Sequence, residues 1–124
     1  MSYSIERKKN CVYIIYEGEV ILDDILEVNG IVTGSSTYDT LKYIIVDYLK
    51  VTNLNLSEKD IKIISNFDKN PYIWNSNLRL SIICNKTEIK DKVFSYIEKI
   101  KAFTPWEVKT FANLEESKEW CNQQ

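Results

Sequence analysis

The sequence predicts a mixed, mostly parallel α/β fold that opens with an antiparallel hairpin, and three observations carry that prediction. Tyr43-Ile44-Ile45-Val46 is an unbroken apolar, largely β-branched run without alternation, the pattern of a strand buried on both faces at the centre of a parallel sheet. Beyond it, strand-like and amphipathic helical segments alternate to the end of the chain. Ahead of it stand two strand-like segments joined by a short polar turn. The order reads β-β-α-β-α-β-α-β-α: five strands with four helices, or five if the region around Pro71 forms its own short helix.

Ile5 to Arg7 and Cys11 to Tyr16 form the hairpin, joined by Lys8-Lys9-Asn10. Val12, Ile14 and Tyr16 alternate with Tyr13 and Ile15, so both faces are apolar. Gly18 is expected to break the strand. Val20 to Val32 then places Ile21, Ile25, Val28 and Val32 on one face of a helix, with Asp23, Asp24 and Glu27 on the others. Acidic residues in the first turn suit the helix dipole. Thr33 to Thr37 is a loop.

The stretch Leu41 to Ile64 organises the rest. Its strand is expected to end at Asp47, to pass through the polar connector Val51-Thr52-Asn53-Leu54-Asn55-Leu56, and to give way to a helix at Ser57. Asp47, Asn55 and Ser57 then gather at the carboxyl end of a central strand and the start of the next helix, where open α/β sheets bind ligands. Ser57-Glu58-Lys59-Asp60 has the form of a capping box with Asp in place of Glu or Gln. Ile61, Ile64 and Phe67 give that helix its apolar side. Pro71 ends or kinks it; with Asn70 as cap, Pro71 can also start a short helix through Tyr72-Ile73-Trp74, the reading adopted here.

Leu78 to Cys84 is the fourth strand. Thr87 caps a helix in which Ile89, Val93, Tyr96, Ile97 and Ile100 hold one face. Thr104-Pro105 interrupts the chain, Trp106 to Phe111 forms the fifth strand, and Asn113-Leu114-Glu115-Glu116 opens the last helix as a capping box. Leu114, Ser117 and Cys121 face inward there, with Trp120 alongside. Residues 1–124 contain no repeat or linker and read as a single domain.

Composition excludes several functions. Hydrophobic residues make up 44% and charged residues 27%, and 16 basic against 18 acidic side chains give a net charge of -2. No basic block recommends nucleic acid or an anionic membrane. No apolar run reaches the ~20 residues that span a bilayer, and the charged first residues lack the apolar centre of a signal peptide. Cys11, Cys84 and Cys121 are odd in number and widely spaced, which reads as reduced, apolar filler in a cytoplasmic protein. The chain has no histidine. Ser-His and Cys-His nucleophile pairs and His-containing zinc sites therefore drop out, and three cysteines leave an all-thiolate site one ligand short. No catalytic residue, metal site or cofactor is expected.

This order, with this central stretch, resembles the STAS domain, the SpoIIAA-like fold. In that family a buried strand and a short connector lead to an Asp-Ser-Ser-Gly-like helix start, where a serine is phosphorylated in the anti-sigma-factor antagonists. Ile45-Val46-Asp47 is similar to the strand end, Val51-Thr52 to the connector, and Asn55-Leu56-Ser57-Glu58 falls where that start belongs. Ser57 matches the phosphoacceptor position, while Asn55, Leu56 and Glu58 replace the family's aspartate, first serine and glycine. The tail, from Phe103-Thr104-Pro105-Trp106-Glu107-Val108 to Leu114-Glu115-Glu116-Ser117-Lys118-Glu119-Trp120, resembles a divergent bacterial branch of STAS-like proteins. Lipid or other apolar ligands have been suggested for that branch by fold analogy.

Each candidate residue has a plainer reading beside the functional one. Ser57 is a helix N-cap, worth about 1 kcal/mol, or a regulatory phosphoserine whose phosphate would meet free N–H donors at a helix start. Asp47 anchors the segment after it by accepting backbone N–H groups, or holds a ligand. Tyr72, Ile73 and Trp74 cover one end of the sheet, or line a ligand pocket or partner surface. Thr33-Gly34-Ser35-Ser36 lacks the spacing of a phosphate loop. The expectation is a non-enzymatic regulatory domain that presents Asn55, Ser57 and nearby loops to a protein partner. The alternative is a lipid or other apolar small-molecule binder, which would need an enclosed cavity of several hundred Å³ on the scale of ordinary ligand pockets. Edge strands also offer a route to a homodimer.

Overall fold

The computed structural model describes residues 2–67, 75, 77–102 and 104–122. Five strands form one sheet in the order β1-β2-β3-β4-β5. They are β1 (Tyr3–Lys8), β2 (Cys11–Ile21), β3 (Tyr43–Asn55), β4 (Arg79–Ile83) and β5 (Glu107–Phe111). β1 runs antiparallel to β2, and the other neighbours are parallel. The helices among the described residues are α1 (Leu22–Thr33), α2 (Glu58–Phe67), α3 (Thr87–Ile100) and α4 (Leu114–Asn122), with a short 3-10 turn at Tyr38–Thr40. The expected mixed five-stranded α/β sheet with its opening hairpin is the observed one.

The hairpin turns at Lys9-Asn10, where Asn10 takes φ 64°; Asn tolerates that left-handed region better than most residues. The Asn10 carbonyl then accepts the N–H groups of Lys42 and Tyr43, which sets β3 beside β2. Tyr43, Ile44, Ile45 and Val46 lie in the middle strand of the sheet, as the unbroken apolar run predicts.

β3 does not stop at Asp47. It continues to Asn55, so most of the expected connector is strand, with Val51 and Leu54 buried. β2 likewise runs through Gly18 to Ile21 instead of breaking there. Pairing with β1 ends at Tyr16 and pairing with β4 ends at Asp47, while β2 and β3 stay paired from Glu17–Lys50 to Ile21–Asn55. The two strands thus leave the sheet as a ribbon. The register between them shifts twice, and each time β3 holds the additional residue, first around Tyr48-Leu49 and again at Thr52. Such bulges sharpen local twist and bend a strand. Gly18 sits at the second shift with φ +71°, a conformation that costs glycine little. Ile21, expected on the helix face, ends the strand instead and is exposed, while α1 begins at Leu22 and buries Ile25, Val28 and Val32. Lys86 Nζ donates to the Val51 carbonyl at 2.8 Å and Lys92 Nζ donates to the Leu54 carbonyl, both past the end of β4.

Helices α1, α2 and α3 supply one large apolar cluster with the sheet face formed by Val12, Ile14, Ile44, Val46, Leu80 and Ile82. α3 buries Ile89, Val93, Ile97 and Ile100, the face its periodicity predicts, although Thr87 is its first helical residue and Lys86 stands at the cap position without a side-chain bond. α4 lies on the opposite face. There Tyr43, Ile45, Ile83, Trp120 and Cys121 make a smaller cluster, and the Ser81 and Ser117 hydroxyls share a buried hydrogen bond of 2.5 Å. Asn113 Oδ1 accepts the Glu116 N–H at 2.9 Å and opens α4 as expected. The proposed short helix at Asn70–Trp74 lies outside the described residues. No helix among the described residues is long and apolar enough to cross a membrane.

Candidate functional site

At the tip of the ribbon the chain turns into α2. Leu56 is buried and fixes the turn, while Asn55, Ser57 and Glu58 on either side are exposed. Ser57 Oγ accepts the Asp60 N–H at 3.1 Å, and Asp60 Oδ2 accepts the Ser57 N–H at 3.0 Å. This is the reciprocal capping box legible in the sequence, with Asp doing the work of Glu. Glu58 turns aside and accepts from Lys99 Nζ at 3.0 Å and from Ser95 Oγ at 3.0 Å. The Lys99 ammonium and then the Ser95 hydroxyl hold the Glu58 carboxyl below its ordinary range. Across the ribbon, Asn53 Nδ2 and Asn55 Nδ2 donate to Glu19 Oε2 at 3.3 Å and 3.4 Å. The result is an exposed knuckle of hydroxyl, amide and carboxylate groups, with Ser57 held in one orientation.

Asp47 does not join it. Because β3 continues for eight more residues to Asn55, the two positions lie roughly 25 Å apart along the strand. The Asp47 side chain points to the α4 face, where Oδ2 accepts from the Tyr13 hydroxyl at 2.6 Å and Oδ1 from the Leu49 N–H at 2.8 Å. Leu49 belongs to the first bulge, so its N–H is one that the ladder leaves over and the carboxylate takes up. Burial, and then the Asp47 carboxylate, push the Tyr13 phenol above its ordinary range. Asp47 thus accepts a backbone N–H, as its plainer reading expects, but it stands within β3 and not at the strand end where sequence reasoning placed it.

A second feature lies inside the three-helix face. Ile44, Val46 and Tyr48 stand on the middle strand beneath helices, yet each keeps part of its surface accessible. What they face is a cavity of about 90 Å³. Val46, Tyr48 and Ile82 form its sheet wall, and Ile25, Ile61 and Val93 its helix wall. Tyr48 stacks on Tyr16 with ring centroids 5.4 Å apart, and burial pushes both phenols well above their ordinary range. Asn29 and Lys92 bring polar groups to the lining, which contains no carboxylate among the described residues. The cavity is well short of the several hundred Å³ set as the requirement for a lipid-sized ligand. Sequence reasoning missed it because each lining residue reads as ordinary core; the one available signal was an excess of tyrosines on apolar faces. Tyr72, Ile73 and Trp74, the sequence candidates for a pocket, lie outside the described residues.

The cysteines are free: Cys84 and Cys121 are buried and Cys11 is half-buried. Burial raises all three thiols above their ordinary range, Cys121 to about 11, which is the state of inert filler. No group of three metal-ligating side chains occurs among the described residues.

Neither a family model nor a curated protein sequence matches the chain. Solved structures do. The anti-sigma factor antagonist SpoIIAA in its unphosphorylated form superposes with a TM-score of 0.61 at 14% identity, covering 94% of each chain. The phosphorylated form of SpoIIAA, a Bacillus cell fate determinant, gives 0.57 at 13% identity, covering 95% of this chain and 97% of that one. A protein of the DUF3478 family from Shewanella loihica PV-4, described as having a SpoIIAA-like fold, gives 0.56 at 18% identity and covers 96% of this chain and 91% of its own. These matches extend over nearly the full length, and the chain has the STAS, or SpoIIAA-like, fold.

Proposed function

We propose that residues 1–124 act as a single regulatory module in the cytoplasm, working by binding a protein partner rather than by catalysis. The module presents the Asn55–Ser57 knuckle and the first turn of α2. The observation that carries this reading is Ser57: an exposed hydroxyl, fixed at a helix start, just past the end of the β2–β3 ribbon. A partner reads such a corner through directed hydrogen bonds. A phosphate on Ser57 would rewrite it, since the Ser57 Oγ now accepting the Asp60 N–H would carry two negative charges beside Asp60 and Glu58. The fold match to SpoIIAA, solved in phosphorylated and unphosphorylated forms, supports the same reading.

Affinity purification of the wild-type chain, Ser57→Ala and Ser57→Asp, with mass spectrometry of the Ser57 peptide, tests it. The expected result is a partner retained by the wild type and Ser57→Ala and reduced at least tenfold by Ser57→Asp, together with recovery of Ser57 phosphopeptide. Identical partner profiles for all three, with Ser57 unmodified under every growth condition, would overturn it.

A further inference from the structure

We infer that the cavity between the sheet and helices α1–α3 is a binding site for a ring-sized apolar carboxylate. This inference stands apart from the partner reading, because neither Asn55 nor Ser57 lines the cavity. Three observations carry it. The middle strand of a sheet covered by three helices should have no accessible surface, yet Ile44, Val46 and Tyr48 all retain some on the covered side. The space they face, about 90 Å³, is far larger than the ~10–15 Å³ that one water needs. An engineered apolar cavity of about 150 Å³ takes benzene, whereas drug-sized and lipid-sized ligands use pockets of roughly 300–1,000 Å³. At about three-fifths of that benzene-binding volume, the space admits at most one compact ring or a short branched chain and excludes a long acyl chain.

The charge of the ligand follows from the lining. Among the described residues its one ionic group is Lys92, whose ammonium donates to the Leu54 carbonyl and has further N–H donors to offer. A carboxylate at Lys92 would gain a charge-assisted hydrogen bond while its apolar body filled the space between Val46, Ile82 and Val93. Among the described residues no acidic group lines the cavity to repel it.

Titration of the full chain with sodium benzoate, benzene and sodium dodecanoate, followed by methyl resonances of the isoleucine, leucine and valine side chains, tests the inference. Benzoate and benzene are expected to shift the Val46, Ile61, Ile82 and Val93 methyls saturably. At ten times Kd each should raise Tm by roughly 3–6 °C. Lys92→Met is expected to weaken benzoate roughly tenfold or more and to leave benzene unchanged. Val46→Phe, or Ile82→Phe should the first variant fail to fold, is expected to abolish both by filling the space. Absence of saturable shifts with benzoate and benzene would overturn the site. Tighter binding of dodecanoate at the same methyls would overturn the size assignment, and equal loss of benzene and benzoate in a folded Lys92→Met would overturn the role of the ammonium.

Discussion

The two faces of the sheet are built by different means. The α1–α3 face is broad, almost wholly apolar, and incompletely filled. The α4 face is narrow, and polar contacts pin it at three places: Ser81 to Ser117, Tyr13 to Asp47, and Arg79 over the Trp120 ring at 4.1 Å. Apolar contact is nondirectional, so three helices can settle over a sheet and leave a void. One nine-residue helix buries too little to rely on area alone, and the contacts at Ser117 and Trp120 fix where it sits. The lesson is that filling and fixing are separate tasks, divided here between opposite sides of the same strands.

Four measurements would break or sharpen that contrast. The largest effect is expected from Ile83→Ala, which empties a fully buried site in the small α4 cluster and should cost about 3–4 kcal/mol in chemical denaturation. Val46→Ala, beside an existing void, should cost less than half as much; equal costs would mean the two faces are equally packed. Next is Ser117→Ala, which strands the buried Ser81 hydroxyl and should cost about 1–3 kcal/mol, while the Ser81→Ala, Ser117→Ala double variant recovers most of the loss. Additive losses in that cycle would remove the pin. Third, Val46→Leu should stabilise by up to about 1 kcal/mol by adding apolar contact to a half-filled space. A destabilised variant would show that the void cannot accept a methylene.

The smallest effect is a pH dependence on the three-helix face. Glu58 is bonded to Lys99 across α2 and α3, which lowers its folded-state pKa below the unfolded value of 4.5. The stability this contributes is present above that unfolded value and is lost as pH falls through the folded one. Lys99→Met should flatten the acid limb of the stability profile slightly, and an unchanged limb would show that solvent screens the pair completely.

Much of the fold was legible because local and global preferences agree. The 43–46 run, the α3 stripe and the two caps at Ser57 and Asn113 state their structure within a few residues. The errors at Asp47 and Gly18 share one physical source: partners distant in sequence. Asp47 reads as a strand end because a carboxylate seldom sits within a sheet, but Tyr13, 34 positions away, and the bulge at Leu49 satisfy it there. Gly18 reads as a breaker because glycine weakens strands, but β3 pairs on both sides of it and uses its positive φ. The Ser57 cap was identified correctly because capping is local. The cavity was raised only as an alternative and its lining could not be read, since a void is a property of how three helices meet and no single residue encodes it.

The lysines at the exposed flank of the ribbon carry a further consequence. Bare backbone acceptors along a strand invite foreign chains to stack on and prolong the sheet. With the Val51 and Leu54 oxygens already claimed by Lys86 and Lys92, a newcomer would have to evict an ammonium group to reach either of them. The same side chains that finish the intramolecular ladder thus act as stoppers against runaway self-assembly, and neutralising both should be felt first as clumping in concentrated solution.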